Sequence, residues 1–164
     1  MSRIGIIAVT VALAACGGSS SPATQFHSTL SAANESPATT SSGMGTADYT
    51  VIGSVGYTNT GATVSYTVTF SGLTAPATAA HIHVGARGVN GQVTIPLSPP
   101  GQTAGTFGGT FSATNVQAAT GGGVTVAAGS IDDLLAAMRA GNTYTNIHTG
   151  TFPDGEIRGQ NQPQ

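Results

Sequence analysis

Short runs of alternating apolar and polar residues constrain the fold of this chain more than any other feature. The clearest run is 63–70, in which Val64, Tyr66, Val68 and Phe70 alternate with Ser and Thr. Residues two apart lie on the same face of a strand, so this spacing predicts a strand with one buried face. Similar runs recur between turns rich in Gly and Asn, and the chain contains 24 Gly. The pattern predicts an all-β fold: an antiparallel, Greek-key-like sandwich or barrel of about eight short strands.

One segment departs from this pattern and predicts a short helix at 131–140. Ser130 and Asp133 have the Ser-x-x-Asp spacing of a helix start, and Gly141 follows the last helical position. The apolar residues between them recur three and four positions apart, which is the spacing of one helix face. We expect this helix to cover one end of the β-structure.

The first fifteen residues have the features of an export signal. Arg3 gives a positive start, and the apolar run 4–13 is too short to remain as a membrane-spanning helix. Leu-Ala-Ala-Cys at 13–16 resembles the lipobox of bacterial lipoproteins, in which cleavage precedes the cysteine and the thiol carries lipid. The sequence therefore predicts a signal peptide at 1–15, lipidation of Cys16, a flexible Gly/Ser-rich tether over 16–24 and a β-domain over 25–161. The resemblance implies a protein anchored to the cell envelope, facing the periplasm or the exterior.

The composition excludes several classes of function. The chain has one Cys, a formal net charge of −2 and only four basic residues, all Arg. A domain with so few cations lacks the basic patch that nucleic-acid binding requires, so DNA and RNA are not expected partners. The absence of Lys excludes a P-loop and a Schiff base, and lipidation of Cys16 would leave the domain without a thiol or a disulfide.

The candidate site is a set of histidines on two predicted strands. His81 and His83 share one strand face while Ile82 lies on the other, and His148 shares a face with Asn146 in a later strand. The same alternation places Glu156 and Arg158 on a non-core face of the last strand. If the strands are neighbours, these side chains form one polar cluster. Three imidazoles at this spacing are typical ligands of Cu or Zn; the alternative is a half-exposed polar sheet face without a ligand.

Four sequence motifs resemble the chordin-type (CHRD) domain. They are Leu-Ser-Ala-Ala-Asn-Glu-Ser-Pro at 30–37, Ala-His-Ile-His-Val-Gly at 80–85 with Gly-Val-Asn-Gly at 88–91, Tyr-Thr-Asn-Ile-His-Thr at 144–149, and Gly-Glu-Ile-Arg-Gly-Gln at 155–160. Glu35 stands where that family usually has an acidic residue. The resemblance implies an extracellular β-domain, often found on bacterial lipoproteins, whose activity is not settled.

Two functions follow from these observations. The first is a non-catalytic binding or structural module anchored to the envelope. The alternative is a Cu- or Zn-binding protein that uses a His-x-His plus His site, with superoxide-dismutase-like redox activity. In that alternative the ligands are His81, His83 and His148, supported by a polar cluster of Glu35, Asn146, Glu156 and Arg158. The two functions differ in one structural requirement: the metal-binding alternative needs the three imidazoles to converge on one point.

Overall fold

The structure is a computed structural model that describes residues 22–53 and 61–164. The predicted signal peptide, Cys16 and tether residues 17–21 lie outside the described residues, and 22–24 have no regular secondary structure. Eleven strands and one α-helix are present in the described ranges. The strands are β1 Gln25–Ser31, β2 Met44–Ile52, β3 Thr63–Ser71, β4 Ala77–Val84, β5 Val93–Leu97, β6 Gly105–Ser112, β7 Ala119–Gly121, β8 Val124–Val126, β9 Thr143–Thr149, β10 Ile157–Gln160 and β11 Gln162–Pro163; the helix is α1 Ile131–Arg139.

The eight longest strands form one antiparallel sheet, nearly closed like a barrel, in the order β5-β4-β9-β10-β1-β2-β3-β6. The short β11 pairs with β1, and β7 and β8 form a separate hairpin. This arrangement confirms the predicted all-β fold. Two of its pairings are distant in sequence: β4 pairs with β9, and β1 pairs with β10. The β4–β9 pairing places the two predicted histidine strands side by side.

The core lies under the faces that the alternation predicted to be apolar. Val64, Val68 and Phe70 of β3 are buried, as are Ile82 of β4 and Ile147 of β9. All five belong to one apolar cluster, which also contains the buried face of α1. Burial of this continuous surface is the main stabilising contribution to the sheet.

Helix α1 begins where the sequence predicted, and it ends at Arg139 with Ala140 as its cap. The Ser130 hydroxyl accepts a hydrogen bond from the Asp133 N–H at 3.2 Å, which satisfies one of the free N–H groups of the first turn. Leu134, Leu135 and Met138 are fully buried against the core. Within the described ranges, none of the helices combines the length and apolar character needed to cross a bilayer.

Replacing Ser130 with Ala is expected to lower the free energy of unfolding by about 1 kcal/mol, because the Asp133 N–H loses its acceptor. Urea denaturation of the two proteins measures this difference. Equal midpoints and slopes would mean that Ser130 contributes nothing as a helix cap.

Candidate metal centre

The three histidines predicted as ligands lie on one face of two paired strands. In the β4–β9 register, His81 is opposite Asn146, and His83 is opposite Tyr144. His148 is two residues beyond Asn146 on β9, so its side chain points to the same face. One ring nitrogen of each of His81, His83 and His148 lies within 4.8 Å of the corresponding nitrogen of the other two. The fold therefore brings together imidazoles that are up to 67 positions apart in sequence.

Backbone carbonyls fix the orientation of two of the three rings. His83 Nδ1 lies 2.9 Å from the Gly91 carbonyl oxygen, and His148 Nδ1 lies 2.9 Å from that of Pro153. A carbonyl can only accept, so each Nδ1 carries a hydrogen and each Nε2 carries a lone pair. Metal-binding histidines are commonly oriented by a hydrogen bond of this kind from the other ring nitrogen.

The Nε2 atoms of these two rings have different partners in the structure. His148 Nε2 lies 3.1 Å from His81 Nδ1, which donates to it. His83 Nε2 is buried and has no hydrogen-bond partner among the residues that the structure describes. Leaving a buried polar nitrogen unpaired typically costs about 1–3 kcal/mol. A ligand that accepts the lone pair would recover that cost, and a metal ion is such a ligand.

All three imidazoles are held in the neutral form that a metal requires. The pKa of His83 is lowered to about 4, mainly by burial; the charges of His81, His148 and Arg158 act in the same direction, and the Gly91 carbonyl opposes them. Burial also lowers the pKa of His81, together with the nearby His148, and burial lowers the pKa of His148. A neutral imidazole has a free nitrogen lone pair near pH 7, so a metal ion does not have to compete with a proton for it.

The distances between the imidazole nitrogens are close to those between nitrogens that share a metal ion. Nitrogens bound tetrahedrally at about 2.0–2.1 Å from Zn lie about 3.3–3.4 Å apart. His81 Nδ1 and His148 Nε2 are already 3.1 Å apart, and a metal between them requires the His81 hydrogen to move from Nδ1 to Nε2. The remaining separations are within 4.8 Å, so these nitrogens must approach one another by up to about 1.4 Å to bind one Zn ion.

Aromatic and cationic side chains pack beside this cluster. The Tyr144 ring stacks on His83 with ring centroids 4.8 Å apart and an interplanar angle of 6°. The Arg158 guanidinium lies 4.2 Å from the centre of the same tyrosine ring. Because β4 and β10 flank β9 on opposite sides, Tyr144 separates the arginine from the histidine. The tyrosine hydroxyl accepts from the Gly91 N–H, so Gly91 holds both Tyr144 and His83.

The predicted supporting residues fall into two groups. Asn146 hydrogen-bonds to the Glu35 carboxylate, and the Arg158 charge acts on it. Glu156, in contrast, lies just before β10 and binds elsewhere: its carboxylate accepts from Ser41, Thr149 and Thr74. The structure thus places Glu35, Asn146 and Arg158 in one cluster, whereas Glu156 joins two loops to the end of β9.

The polar face of the sheet is buried rather than half-exposed. All seven residues of β9 are buried, and Asn146 and Arg158 are 3% and 2% exposed. Loops cover this face through hydrogen bonds from Asn90 to the Ser36 carbonyl and from Arg158 to the Asn90 side chain. The candidate site therefore lies in a layer between sheet and loops, where desolvation strengthens its electrostatic interactions.

The sequence matches the CHRD domain family over residues 26–161, most of the chain. The chain belongs to this family. No curated protein and no solved structure matches it. The matched range of the CHRD domain contains every described residue of the histidine cluster and its surroundings. Membership supports a binding module in general and assigns no ligand.

Three features of this CHRD domain escaped the sequence interpretation of the site. The Gly91 and Pro153 carbonyls orient His83 and His148, but a backbone acceptor leaves no side-chain signal in a sequence. Tyr144 stacks on His83, and the parity of β9 could have indicated it because Tyr144, Asn146 and His148 alternate. Residues of the CHRD motifs therefore orient the imidazole rings in addition to providing the histidines themselves.

Glu35→Gln is expected to change how the stability of the CHRD domain depends on pH. Burial raises the pKa of Glu35 from 4.5 to about 7, although Arg158 and hydrogen bonds from Asn146 and the Ser36 backbone oppose the shift. The folded state therefore binds this proton more tightly than the unfolded state, and wild type loses stability as pH rises from 4.5 to about 7. Glutamine removes that contribution. Urea denaturation at several pH values measures the difference, and parallel curves would contradict the assignment.

Proposed function

We propose that this CHRD domain is a binding module for one Cu or Zn ion, held by His81, His83 and His148. The observation that carries the proposal is the buried, unpartnered Nε2 of His83, which lies among the described residues beside two further imidazole nitrogens. A structural polar cluster would be expected to satisfy that atom by hydrogen bonding. An ion at the centre of the three rings supplies the missing partner.

The donor set limits the choice of metal. Three neutral imidazoles suit Cu and Zn, whereas Ca²⁺ and Mg²⁺ prefer oxygen ligands. Three protein ligands also leave at least one coordination position for water or an external ligand. His81 is only partly buried, so that position lies on its side of the cluster.

Titration of the purified protein with Zn²⁺ and with Cu²⁺ tests the proposal. We expect one ion per chain, with NMR signals of His81, His83 and His148 shifted and those of His27 unchanged, because His27 binds Asp48 on β1–β2. Affinity should fall as pH drops below the usual histidine range of about 6.5 and continue to fall toward pH 4, since burial holds the ring pKa values low. Binding confined to His27, or no binding, would refute the proposal.

The proposal includes no catalytic step. The redox alternative makes a different prediction: copper-loaded protein would consume superoxide at a rate above that of the zinc-loaded protein. Equal rates for the two would support the simple binding module. A faster copper form would assign redox activity to the same three ligands.

We further propose that Cys16 anchors the domain to the cell envelope, with no nucleic-acid partner. The support is the Leu-Ala-Ala-Cys segment at 13–16 after a short apolar run. Each buried CH₂ of an acyl chain contributes about 0.8 kcal/mol, so two or more chains hold a protein firmly in a membrane. Cys16→Ser is expected to move the protein from the membrane fraction to the soluble fraction or to block its maturation. Unchanged membrane association of that variant would contradict this anchor.

A further inference from the structure

A second concave site lies beside the histidine cluster. Loop residues 35–40 and turn residues 151–155 enclose a cleft of about 320 Å³. Such a volume is at the small end of the range for ligand-binding sites. The cleft is not part of the metal proposal, but it shares two residues with the surroundings of that site: Glu35 belongs to the supporting polar cluster, and Pro153 accepts the hydrogen bond from His148.

The cleft combines acidic and apolar walls. Its two charged side chains are Glu35 and Asp154, and its apolar surface includes Phe152 and Pro37. Neither Arg nor His is among the residues that line it, and the chain has no Lys. Asp154 therefore gives the cleft negative charge next to apolar surface, and Glu35 adds to it above its pKa of about 7, with the Arg158 charge acting on it from outside the lining.

Glu35 is short of partners at this position. Its Oε1 is buried and unpaired among the residues that the structure describes. The nearby Arg158 donates to Asn90 and Val89 instead, and the single ion pair in residues 22–53 and 61–164 joins His27 to Asp48. Asn146 and the Ser36 backbone donate to the carboxylate, but Oε1 has no donor, and a cation that reached it would stabilise the ionised form.

Gly155 packs closely against the carboxylate of Glu35. A Cβ at this position would lie 2.8 Å from Glu35 Oε1 and 2.7 Å from Asn146 Oδ1. A larger residue would force the Asn146 or Glu35 side chain to shift. The last side-chain torsion of Glu is broad, so rotation about it can turn an oxygen toward the cleft.

We propose that this cleft binds a primary alkylammonium group, with the charge on Glu35 and Asp154 and the alkyl chain against Phe152 and Pro37. A free amine and a lysine side chain share this chemistry. Binding does not require the metal, so a failure of either proposal leaves the other standing. Because the cation favours ionised Glu35, affinity should rise between pH 6 and 8.

NMR titration of the metal-free protein tests this inference with n-pentylammonium, 1-pentanol and pentanoate. All three have the same chain length, and the amine stays protonated because its pKa resembles that of Lys, about 10.4. We expect saturable shifts within 35–40 and 151–155 for the ammonium, and binding at least about 10-fold weaker for the other two. Equal binding of the alcohol, or no saturable binding of the amine, would overturn the proposal.

Variants locate the binding site, and a lysine derivative identifies the source of the ammonium group. Glu35→Gln should weaken pentylammonium binding about 10-fold, Asp154→Asn should weaken it less, and the exposed control Asp48→Asn should leave it unchanged. Unchanged affinity in both cleft variants, with their spectra showing a native fold, would overturn the assignment. N-acetyl-lysine methylamide distinguishes the sources: tighter binding than pentylammonium indicates a lysine of a protein partner, and weaker binding indicates a free amine.

Discussion

Replacing His83 with Asn is expected to lower the affinity for Zn²⁺ or Cu²⁺ more than about 100-fold. Loss of a group that merely orients a ligand costs about 10- to 100-fold, and loss of the ligand itself should cost more. Asparagine removes the Nε2 atom that the proposal assigns to the metal. Its amide can still donate to the Gly91 carbonyl in place of Nδ1, so the loop contact is kept. Isothermal titration of both proteins measures the change.

His27→Asn is the matched control for this substitution. His27 also donates through Nδ1, to Asp48 at 2.7 Å, but it lies on β1 outside the cluster. At a metal concentration of 100 times the dissociation constant, the wild-type and control proteins should gain about 2.7 kcal/mol of stability, and His83→Asn should gain almost none. Similar gains in all three proteins would place the ion elsewhere.

Gly91→Ala is expected to be strongly destabilising and to disrupt the candidate site. A Cβ at Gly91 would lie 1.6 Å from the Val84 carbonyl oxygen and 3.2 Å from the Gly121 Cα. The backbone must therefore move, which we expect to cost about 3 kcal/mol or more. That movement also displaces the N–H bound to Tyr144 and the carbonyl bound to His83. Chemical denaturation and metal titration should both detect the change.

Gly101→Ala provides the comparison, because a Cβ at Gly101 meets nothing within 4 Å among the described atoms. This control should change the free energy of unfolding by less than about 0.5 kcal/mol, as exposed substitutions usually do. If Gly91→Ala behaves like the control and retains metal affinity, close packing at Gly91 does not position His83.

Local patterns in the sequence predicted the elements and much of the histidine geometry. Alternation identified the principal strands, because the two-residue repeat of a strand depends only on backbone geometry. The same repeat placed His81 with His83 and placed Asn146 with His148. It failed at Glu156, which precedes β10 and so does not follow the alternation of that strand. Its carboxylate instead accepts hydrogen bonds from two loops and from Thr149 at the end of β9.

The remaining features depend on contacts between distant segments. The pairing of β4 with β9 follows from the closure of the whole sheet, which no local spacing encodes. The polar residues of β9 resemble a solvent-facing pattern, yet loops at 35–40 and 85–91 cover them. The short hairpin of β7 and β8 was also missed, because three-residue strands are too brief to show alternation.

The most direct test of the central claim is a crystal structure of the zinc-soaked protein with anomalous data collected at the zinc absorption edge. We predict one ion bound by nitrogens of His81, His83 and His148 at about 2.0–2.1 Å. The His83 ligand atom should be Nε2, with Nδ1 still donating to the Gly91 carbonyl. An anomalous peak at His27 alone, or no peak within bonding distance of the three imidazoles, would contradict the account.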